Sequence, residues 1–363
     1  MNIILFPGSF DPIHQGHVNM AKIASESFDA EVIFIPSVIS VWKNESTPFI
    51  HKAKMVELAI KNYPRFSMSD YENTLGEGVH YSIFTIRHFK SLYPNDKLYL
   101  LIGEDQVNEF HRWKEAKEIS KLIQIIYCGR PGFVENDNKE VFHMVDIIAK
   151  DEIPVSSSGV RNMEGLEFIN RDVLKYIEAN NLYYMNKIYG YIKDHRFNHS
   201  ISVANLAYDI ALSNKIDNPI KAYVAGLLHD IGKEMPKEES EAIMKVIFNE
   251  YVDLPRFAYH QFVGSLIAKN DFNMDDEVVD AIRFHATGKA NMSVLGRIIY
   301  AADKIEPTRG FDSSELINSC LKNYEQGFID VLKANKEYLI SKKGEGAVEN
   351  PLTLECFHYY LDK

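Results

Sequence analysis

The distribution of apolar residues divides the chain into two differently patterned parts. In the first part, short apolar or β-branched runs alternate with amphipathic stretches of helical spacing. The runs cover 3–6, 31–35, 97–102 and 123–128, and the amphipathic stretches cover 17–27, 51–62, 81–93 and 114–121. This βαβα order predicts a Rossmann-like, doubly wound parallel sheet with helices on both faces. Ligands of such sheets bind beyond the carboxyl ends of the strands.

The second part has helical periodicity and almost no strand signal. Ala204, Leu206-Ala207 and Ile210-Ala211 form an apolar stripe with i, i+3, i+4 spacing. The two regular patterns are interrupted near Asn180-Asn181 and again near Asn186. We therefore expect an α/β domain over residues 1–185 and an all-α helical domain over residues 186–363.

Composition and charge narrow the classes of partner. The chain has 363 residues, 46% hydrophobic and 25% charged, with a formal net charge of -11. That acidic balance argues against a general binder of nucleic acid or anionic membranes. Three scattered cysteines favour a reducing compartment, and no apolar run reaches the roughly 18 residues of a membrane span. We expect a cytoplasmic protein that acts on small molecules.

A loop rich in glycine and histidine follows the first predicted strand. The segment Gly8-Ser9-Phe10-Asp11-Pro12-Ile13-His14-Gln15-Gly16-His17 leads from that strand into a helix, and the free N–H groups and dipole of a helix N-terminus favour a phosphate. His14 and His17 lie on one side of the first turn, where both can donate to phosphate oxygens. Gly16 lets a phosphate approach the backbone without a Cβ in the way.

A second segment, Val155-Ser156-Ser157-Ser158-Gly159-Val160-Arg161, has a similar physical character. Ser158 is a natural N-cap, so we expect another helix N-terminus with exposed N–H groups at this position. Arg161 would then lie on the first turn, where its planar guanidinium can grip phosphate oxygens. Together the two segments predict a site for the phosphates of a nucleotide.

These residues resemble the nicotinate mononucleotide adenylyltransferases, a family of the His-x-Gly-His nucleotidyltransferase superfamily, from Met1 to about Tyr184. Five further matches carry the resemblance: Lys52–Ile60, Tyr81–Ile86, Leu101-Ile102-Gly103-Glu104-Asp105, Trp113, and Tyr176 to Tyr183. The resemblance implies transfer of AMP from ATP to a mononucleotide phosphate, with Mg²⁺ on the phosphates. Such a transfer needs positioning and charge neutralisation more than covalent work by the protein.

The resemblance also implies roles for individual residues. The catalytic residues would be His14, His17 and Arg161. Nucleotide and phosphate contacts would come from Gly8, Ser9, Phe10, Lys43, Gly103, Asp105, Ser156, Ser157 and Ser158, and acceptor contacts from Thr85 and Trp113. The loop after the second strand departs from the family's Pro-Pro-His-Lys type and reads Val41-Trp42-Lys43. The acceptor therefore stays open between nicotinate mononucleotide, nicotinamide mononucleotide and phosphopantetheine.

The helical part carries histidines and aspartates inside apolar patterns. His229-Asp230 follows the apolar run Ala225-Gly226-Leu227-Leu228, and adjacent His and Asp on a buried helix are costly unless they coordinate something. The other candidates are His199, His260, His285 and Asp303. Imidazoles and carboxylates projecting from several helices into one core would build a mixed nitrogen and oxygen site for transition metals.

This set resembles the HD phosphohydrolase superfamily from about Asn186 to Lys363, and within it the bacterial hydrolases that cleave diadenosine tetraphosphate symmetrically. The segments Ala281–Gly288 and Ile298–Pro307 match that subgroup. The resemblance implies that His199, His229, Asp230 and Asp303 hold one metal ion, with Asp230 bridging, and that His260 and His285 hold a second. Iron is the expected metal, and two ions would activate water and neutralise phosphoryl oxygens.

The resemblance further implies phosphate contacts at Lys233, Arg283, Lys304 and Arg309. Two other hypotheses stay open for the helical domain. It could hydrolyse a different nucleotide phosphate, or it could be a nucleotide-sensing module without catalysis. The presence of all six presumed ligands argues against a sensing module, because sensing does not need the complete set.

Overall fold

A computed structural model of the chain describes residues 1–38, 47–76, 80–129, 137–147, 153–343 and 350–362. The chain divides into two compact units, Met1–Asn180 and Asn181–Lys363. The first unit is a parallel sheet with flanking helices. In the second unit, the described residues form helices and turns. Both fold classes expected from the sequence are confirmed.

The described residues of the first unit contain six strands. Their bounds are β1 Asn2–Gly8, β2 Ala30–Pro36, β3 Phe66–Met68, β4 Lys97–Gly103, β5 Gln124–Cys128 and β6 Val145–Ile147. They form one sheet in the order β3-β2-β1-β4-β5-β6, and every pair is parallel. The central strands β1, β2, β4 and β5 are buried apolar runs, as expected of a sheet covered on both faces.

Strand β1 lies between β2 and β4, so the chain reverses its direction of travel across the sheet at this strand. Ile4 pairs with Val32 on one side and with Tyr99 on the other. The loops after Gly8 and Gly103 therefore diverge at a topological switch point, where open α/β sheets bind their ligands. This places the Gly8–His17 segment at the carboxyl end of the sheet's central strands.

The helices of the first unit connect and cover the strands. Their bounds are α1 Gln15–Phe28, α2 Phe49–Ile60, α3 Tyr71–Thr74, α4 Ser82–Leu92, α5 Glu104–Glu109, α6 Ala116–Leu122, α7 Asn138–Val141, α8 Ser157–Arg161 and α9 Arg171–Ala179. Helix α8 begins two residues earlier than the sequence predicted. Ser156, rather than Ser158, is its N-cap, and Ser156 Oγ accepts a hydrogen bond from Gly159 N at 3.0 Å.

Ten helices make up the described part of the second unit. Their bounds are α10 Tyr184–Tyr191, α11 Asp194–Ser213, α12 Pro219–Leu228, α13 Lys237–Ile247, α14 Tyr259–Asp271, α15 Asp276–Arg283, α16 Val294–Ile305, α17 Ser314–Lys322, α18 Tyr324–Lys343 and α19 Pro351–Leu361. None of the helices in the described ranges is both long and apolar enough to cross a membrane.

Helices α11 and α12 cross closely because a glycine lies at their contact. A Cβ on Gly226 would come within 2.6 Å of Ala204 Cα. The close crossing holds His199 on α11 beside His229, which directly follows α12, and the two imidazole centroids are 5.1 Å apart. The core of the second unit thus brings together histidines that are far apart in sequence.

Candidate functional sites

The Gly8–His17 segment forms one wall of a cavity of about 680 Å³ in the first unit. The imidazoles of His14 and His17 stack with centroids 3.7 Å apart, and His14 N donates to His17 Nδ1 at 3.3 Å. This is a capping box made by two histidines, with His14 at the N-cap of α1 and His17 at its third position. Both rings line the cavity at a helix N-terminus.

Two glycines and an aromatic ring fix the shape of this loop. A Cβ on Gly16 would lie 3.0 Å from His14 Nδ1, so any other residue would crowd the histidine ring. Phe10 has a left-handed backbone, with φ of 45°, and its ring packs 2.8 Å from the place where Gly8 would carry a Cβ. Gly8, Ser9 and Phe10 all line the cavity, as expected for a loop that follows β1.

The Ser156–Arg161 segment docks directly on the same loop. Ser157 Oγ donates to the Pro12 carbonyl oxygen at 2.9 Å, and Arg161 Nη1 donates to the Asp11 carbonyl oxygen at 2.5 Å. Arg161 Nη2 also donates to Ser158 Oγ at 3.0 Å. The guanidinium is therefore tied to the loop that leads to the histidine pair. The structure brings together the two segments that the sequence singled out separately.

The cavity is also lined by residues after β4 and by one of the two acceptor candidates. Gly103, Asp105 and Trp113 line it, and Trp113 packs on Phe110 with ring centroids 5.0 Å apart. Thr85 is buried below the surface of the cavity and donates to Glu72 Oε1 at 3.3 Å. Lys43, with Val41 and Trp42, lies outside the described residues.

Glu72 lines this cavity and was missed by the sequence analysis. It is 4% exposed, and burial raises the pKa of its carboxyl to about 7, against hydrogen bonds from Thr85 and Val38 and the charges of His80 and Lys52. Lys52 is fully buried and donates to the carbonyl oxygens of Ser37 and Val38. No local motif marks Glu72, because its partners come from three other segments of the chain.

In the second unit, the six predicted metal ligands converge on one buried centre. His199 lies on α11, His260 on α14 and Asp303 on α16. His229 and His285 were expected within helices, but they lie just beyond the ends of α12 and α15, and Asp230 follows His229. Three overlapping groups of these residues have ligand atoms within 4.8 Å of one another.

The carboxylates of this centre face imidazole Nε2 atoms. Asp230 Oδ1 lies 3.2 Å from His260 Nε2 and 3.5 Å from His285 Nε2. Asp303 Oδ1 lies 3.2 Å from His199 Nε2 and 3.6 Å from His229 Nε2. Burial raises the pKa of both aspartates, but hydrogen bonds and charge from the neighbouring histidines, together with the charge of Lys304 at Asp303, outweigh burial and hold both pKa values well below the ordinary value. Both carboxylates are therefore ionised.

The ligand atoms of this centre suit a bound cation, because nitrogen lone pairs face one another within the centre. His260 and His285 donate Nδ1–H to the carbonyl oxygens of Phe257 and Ile282, which in the neutral form of each ring leaves a lone pair on Nε2. These two Nε2 atoms are only 3.2 Å apart. Burial lowers the pKa of His285 to about 3, so that ring is neutral at pH 7. His229 Nε2 is buried and has no hydrogen-bond partner among the described residues.

Three of the four predicted phosphate contacts lie at this centre. Lys233 Nζ is 3.2 Å from His260 Nε2, and Lys304 Nζ is 2.7 Å from Asp303 Oδ2. Arg309 Nη2 pairs with Asp303 Oδ1 at 2.5 Å. Arg283 instead donates to Ser265 Oγ and lies over the Phe248 ring. The centre therefore combines ionised carboxylates, imidazole lone pairs and three flanking cations.

Known proteins match both units. The Cytidylyltransferase-like family matches residues 5–163, and the HD domain family matches residues 196–308. A protein of Mycoplasma genitalium named "Probable nicotinate-nucleotide adenylyltransferase/Ap4A hydrolase" is 31% identical over 344 residues, which cover 91% of this chain and 97% of that protein. A protein of Aquifex aeolicus named "Probable nicotinate-nucleotide adenylyltransferase" is 36% identical over 156 residues, covering 41% of this chain and 89% of that protein.

A solved structure, that of a predicted HD superfamily hydrolase involved in NAD metabolism from Clostridium acetobutylicum, is 30% identical. The match covers 49% of this chain and 96% of the chain in that structure, with a TM-score of 0.42. The match to the Mycoplasma genitalium relative extends through both units and nearly the full length of that protein. The chain therefore belongs to the two-domain family of the nicotinate-nucleotide adenylyltransferase/Ap4A hydrolases.

Proposed function

We propose that the chain is a bifunctional enzyme with a nucleotidyltransferase domain over residues 1–185 and a metal-dependent hydrolase domain over residues 186–363. The first domain transfers AMP from ATP to nicotinate mononucleotide, giving deamido-NAD and pyrophosphate. The observation that carries this proposal is the docking of Arg161 and Ser157 on the loop that leads to the stacked His14 and His17 at a sheet switch point. The names of the relatives agree with it.

The residues of the first domain act by binding and charge neutralisation. An oxygen of the acceptor phosphate attacks the α-phosphorus of ATP, and the bond to the β-phosphate oxygen breaks, so pyrophosphate leaves. The acceptor is already an anion, so no general base is needed. His14, His17 and Arg161 hold the triphosphate and offset the charge that develops on pyrophosphate. Mg²⁺ on the phosphates supplies further charge neutralisation.

Backbone groups complete the proposed nucleotide site. The N-termini of α1 and α8 direct free N–H groups toward an anion, with Gly8, Ser9, Phe10, Ser156, Ser157 and Ser158 around them. Gly103 and Asp105 line the side formed after β4. Lys43 is proposed as a further cationic contact from the sequence alone.

Nicotinate mononucleotide is the proposed acceptor because the aromatic side chain of Trp113 lines the cavity and suits a pyridine ring. Thr85 supports this side through Glu72, which also lines the cavity. Nicotinamide mononucleotide and phosphopantetheine are the alternative acceptors. Nicotinamide mononucleotide differs from the proposed acceptor in charge, and phosphopantetheine lacks a pyridine ring. A competition assay with all three acceptors therefore distinguishes them.

The first experiment supplies the full chain with ATP, Mg²⁺ and each acceptor in turn, and products are resolved by chromatography. Deamido-NAD and pyrophosphate should form fastest with nicotinate mononucleotide. Faster turnover of phosphopantetheine would overturn the acceptor assignment. His14→Ala should remove this activity and leave the hydrolase activity intact, so loss of both would indicate misfolding instead.

The second domain is proposed to hydrolyse diadenosine tetraphosphate symmetrically to two ADP. His199, His229, Asp230 and Asp303 would hold one metal ion and His260 and His285 a second, with iron as the native metal. Bound metal supplies water activation and charge neutralisation at phosphoryl oxygens. Lys233, Lys304 and Arg309 surround the carboxylates and would hold the polyphosphate chain.

The observation that carries this second proposal is the pair of facing Nε2 atoms of His260 and His285 beside Asp230. Hydrolysis of another nucleotide phosphate and ligand sensing without catalysis are the alternatives. The full chain should convert diadenosine tetraphosphate to ADP alone, whereas ATP plus AMP would show asymmetric cleavage. Asp230→Asn should abolish this product and spare deamido-NAD formation, and a metal-loaded chain that cleaves nothing would favour sensing.

A further inference from the structure

His199 differs from the other three histidines of the metal centre in what its Nδ1 atom contacts. His229, His260 and His285 each donate Nδ1–H to the backbone carbonyl oxygen three residues earlier. His199 Nδ1 instead lies 2.9 Å from Glu306 Oε1, a carboxylate 107 residues away in sequence. A carboxylate is a stronger and charged acceptor than a carbonyl oxygen. This contact separates His199 electronically from its three neighbours.

Glu306 is built into this position by its own hydrogen bonds. It is 1% exposed and lies just after α16, which carries Asp303. Thr308 N donates to Glu306 Oε2 at 2.7 Å, and Thr308 Oγ1 donates to Oε1 at 2.8 Å. The side chain therefore has little freedom to turn away from His199. The same turn, Pro307–Arg309, delivers Arg309 to Asp303.

From this geometry we infer that Glu306 is a positioning residue that holds His199 in the Nδ1–H tautomer and directs its Nε2 lone pair into the metal centre. Glu306 Oε1 and Asp303 Oδ1 are both acceptors, at 2.9 Å from Nδ1 and 3.2 Å from Nε2, so a cation bound between Nε2 and Asp303 leaves the ring proton on Nδ1, where it is donated to Glu306. Nε2 is then free to bind a cation, and it already faces Asp303 Oδ1 at 3.2 Å. The inference rests on the proposed metal centre of the second domain.

A carboxylate behind a ligating imidazole also increases the basicity of the ring. Partners of this kind fix ring orientation, and their loss lowers metal affinity by about 10- to 100-fold. A backbone carbonyl can fix the tautomer but carries no charge. We therefore expect His199 to be the strongest imidazole donor of the four, and its strength to depend on residue 306.

The test is the release of Mn²⁺ from the loaded full chain into excess EDTA, followed by electron paramagnetic resonance. Glu306→Ala should release bound Mn²⁺ at least about tenfold faster than the unaltered chain. Glu306→Gln keeps an acceptor for Nδ1–H without the charge, so its release rate should lie between the two. Thr308→Val removes one hydrogen bond to Glu306 but leaves the carboxylate behind His199, and it serves as the control for the turn.

The outcomes separate this inference from the proposal on which it rests. Failure of the unaltered chain to bind Mn²⁺ would overturn the metal centre and this inference together. Binding by the unaltered chain with equal release rates in the Glu306 variants would overturn only the role of Glu306. If Thr308→Val released Mn²⁺ as fast as Glu306→Ala, the effect would come from the turn, which also contradicts the inference. Glu306→Gln is nearly isosteric, so its circular dichroism should match that of the unaltered chain.

Discussion

Arg161 Nη1 donates a hydrogen bond to the carbonyl oxygen of Asp11 at 2.5 Å, across 150 residues of sequence. The bond ties the end of α8 to the loop that presents His14 and His17. A single side chain thus braces the loop and brings a cation to its backbone. The two halves of the proposed phosphate site are therefore mechanically coupled.

Arg161→Lys should lower kcat/KM for adenylyl transfer by about 10- to 100-fold, which corresponds to losing a hydrogen bond made by a charged group. Lysine keeps the charge but cannot bond to Asp11 and to Ser158 Oγ in the fixed geometry of a guanidinium. Steady-state pyrophosphate release measures the effect. Arg65→Lys is the matched control, because Arg65 makes an exposed ion pair with Asp29. Equal losses in both variants would contradict this role.

Much of the fold was predictable because long apolar runs mark the central strands. The runs at 3–6, 31–35, 97–102 and 123–128 all became strands of the sheet. Strands β3 and β6 were not predicted, because three residues each are too few to show a period. The N-cap of α8 was displaced by two residues, since three consecutive serines give equal local signals.

The candidate sites were predictable only where a residue type stands out from its local sequence pattern. His229, Asp230 and Asp303 stand out because charged or polar groups interrupt apolar patterns. Glu72 and Glu306 do not stand out, because their roles depend on partners that the fold supplies. His199 and Glu306 are 107 residues apart, and no local pattern relates them. The same reason explains why Arg283 appeared equivalent to Lys233 in sequence but packs on Phe248 in the structure.

His229→Ala should remove most of the metal bound by the second domain. His229 is fully buried and belongs to two of the three ligand groups of the centre. We expect the purified variant to retain less than roughly one tenth of the metal of the unaltered chain, as determined by elemental analysis after dialysis. His195→Ala is the control, because His195 is an exposed histidine on the same helix as His199. Metal loss in both variants would show that the effect is not specific to the centre.

Ionisation of Glu72 should destabilise the first unit as the pH rises. Burial raises its pKa from 4.5 to about 7, so the folded state favours the protonated carboxyl. The stabilising contribution is complete below about pH 4.5 and is lost as the pH rises through about 7. The difference amounts to on the order of 3 kcal/mol.

Glu72→Gln tests this pH dependence by removing the titration while keeping an oxygen for Thr85. Relative to this variant, the unaltered chain should lose stability between pH 4.5 and 8. Urea unfolding followed by tryptophan fluorescence is suitable, because both tryptophans, Trp42 and Trp113, lie within the first 180 residues. A constant difference in stability between the two proteins across this range would refute the assignment.

Gly232→Ala should destabilise the second unit and disturb its metal centre. A Cβ at this position would lie 2.6 Å from Gly264 N and from the His260 carbonyl oxygen, both in the backbone of α14. Helix α14 would have to move, and His260 would move with it, so we expect a loss of about 1–3 kcal/mol together with weaker metal binding. Gly190→Ala is the matched control, because a Cβ there meets no atom within 4 Å. Since Gly190 lies within α10, that change should be neutral or stabilising. Thermal unfolding and metal analysis of both variants test this prediction. Equal stability and equal metal content in the two variants would contradict the close approach at Gly232.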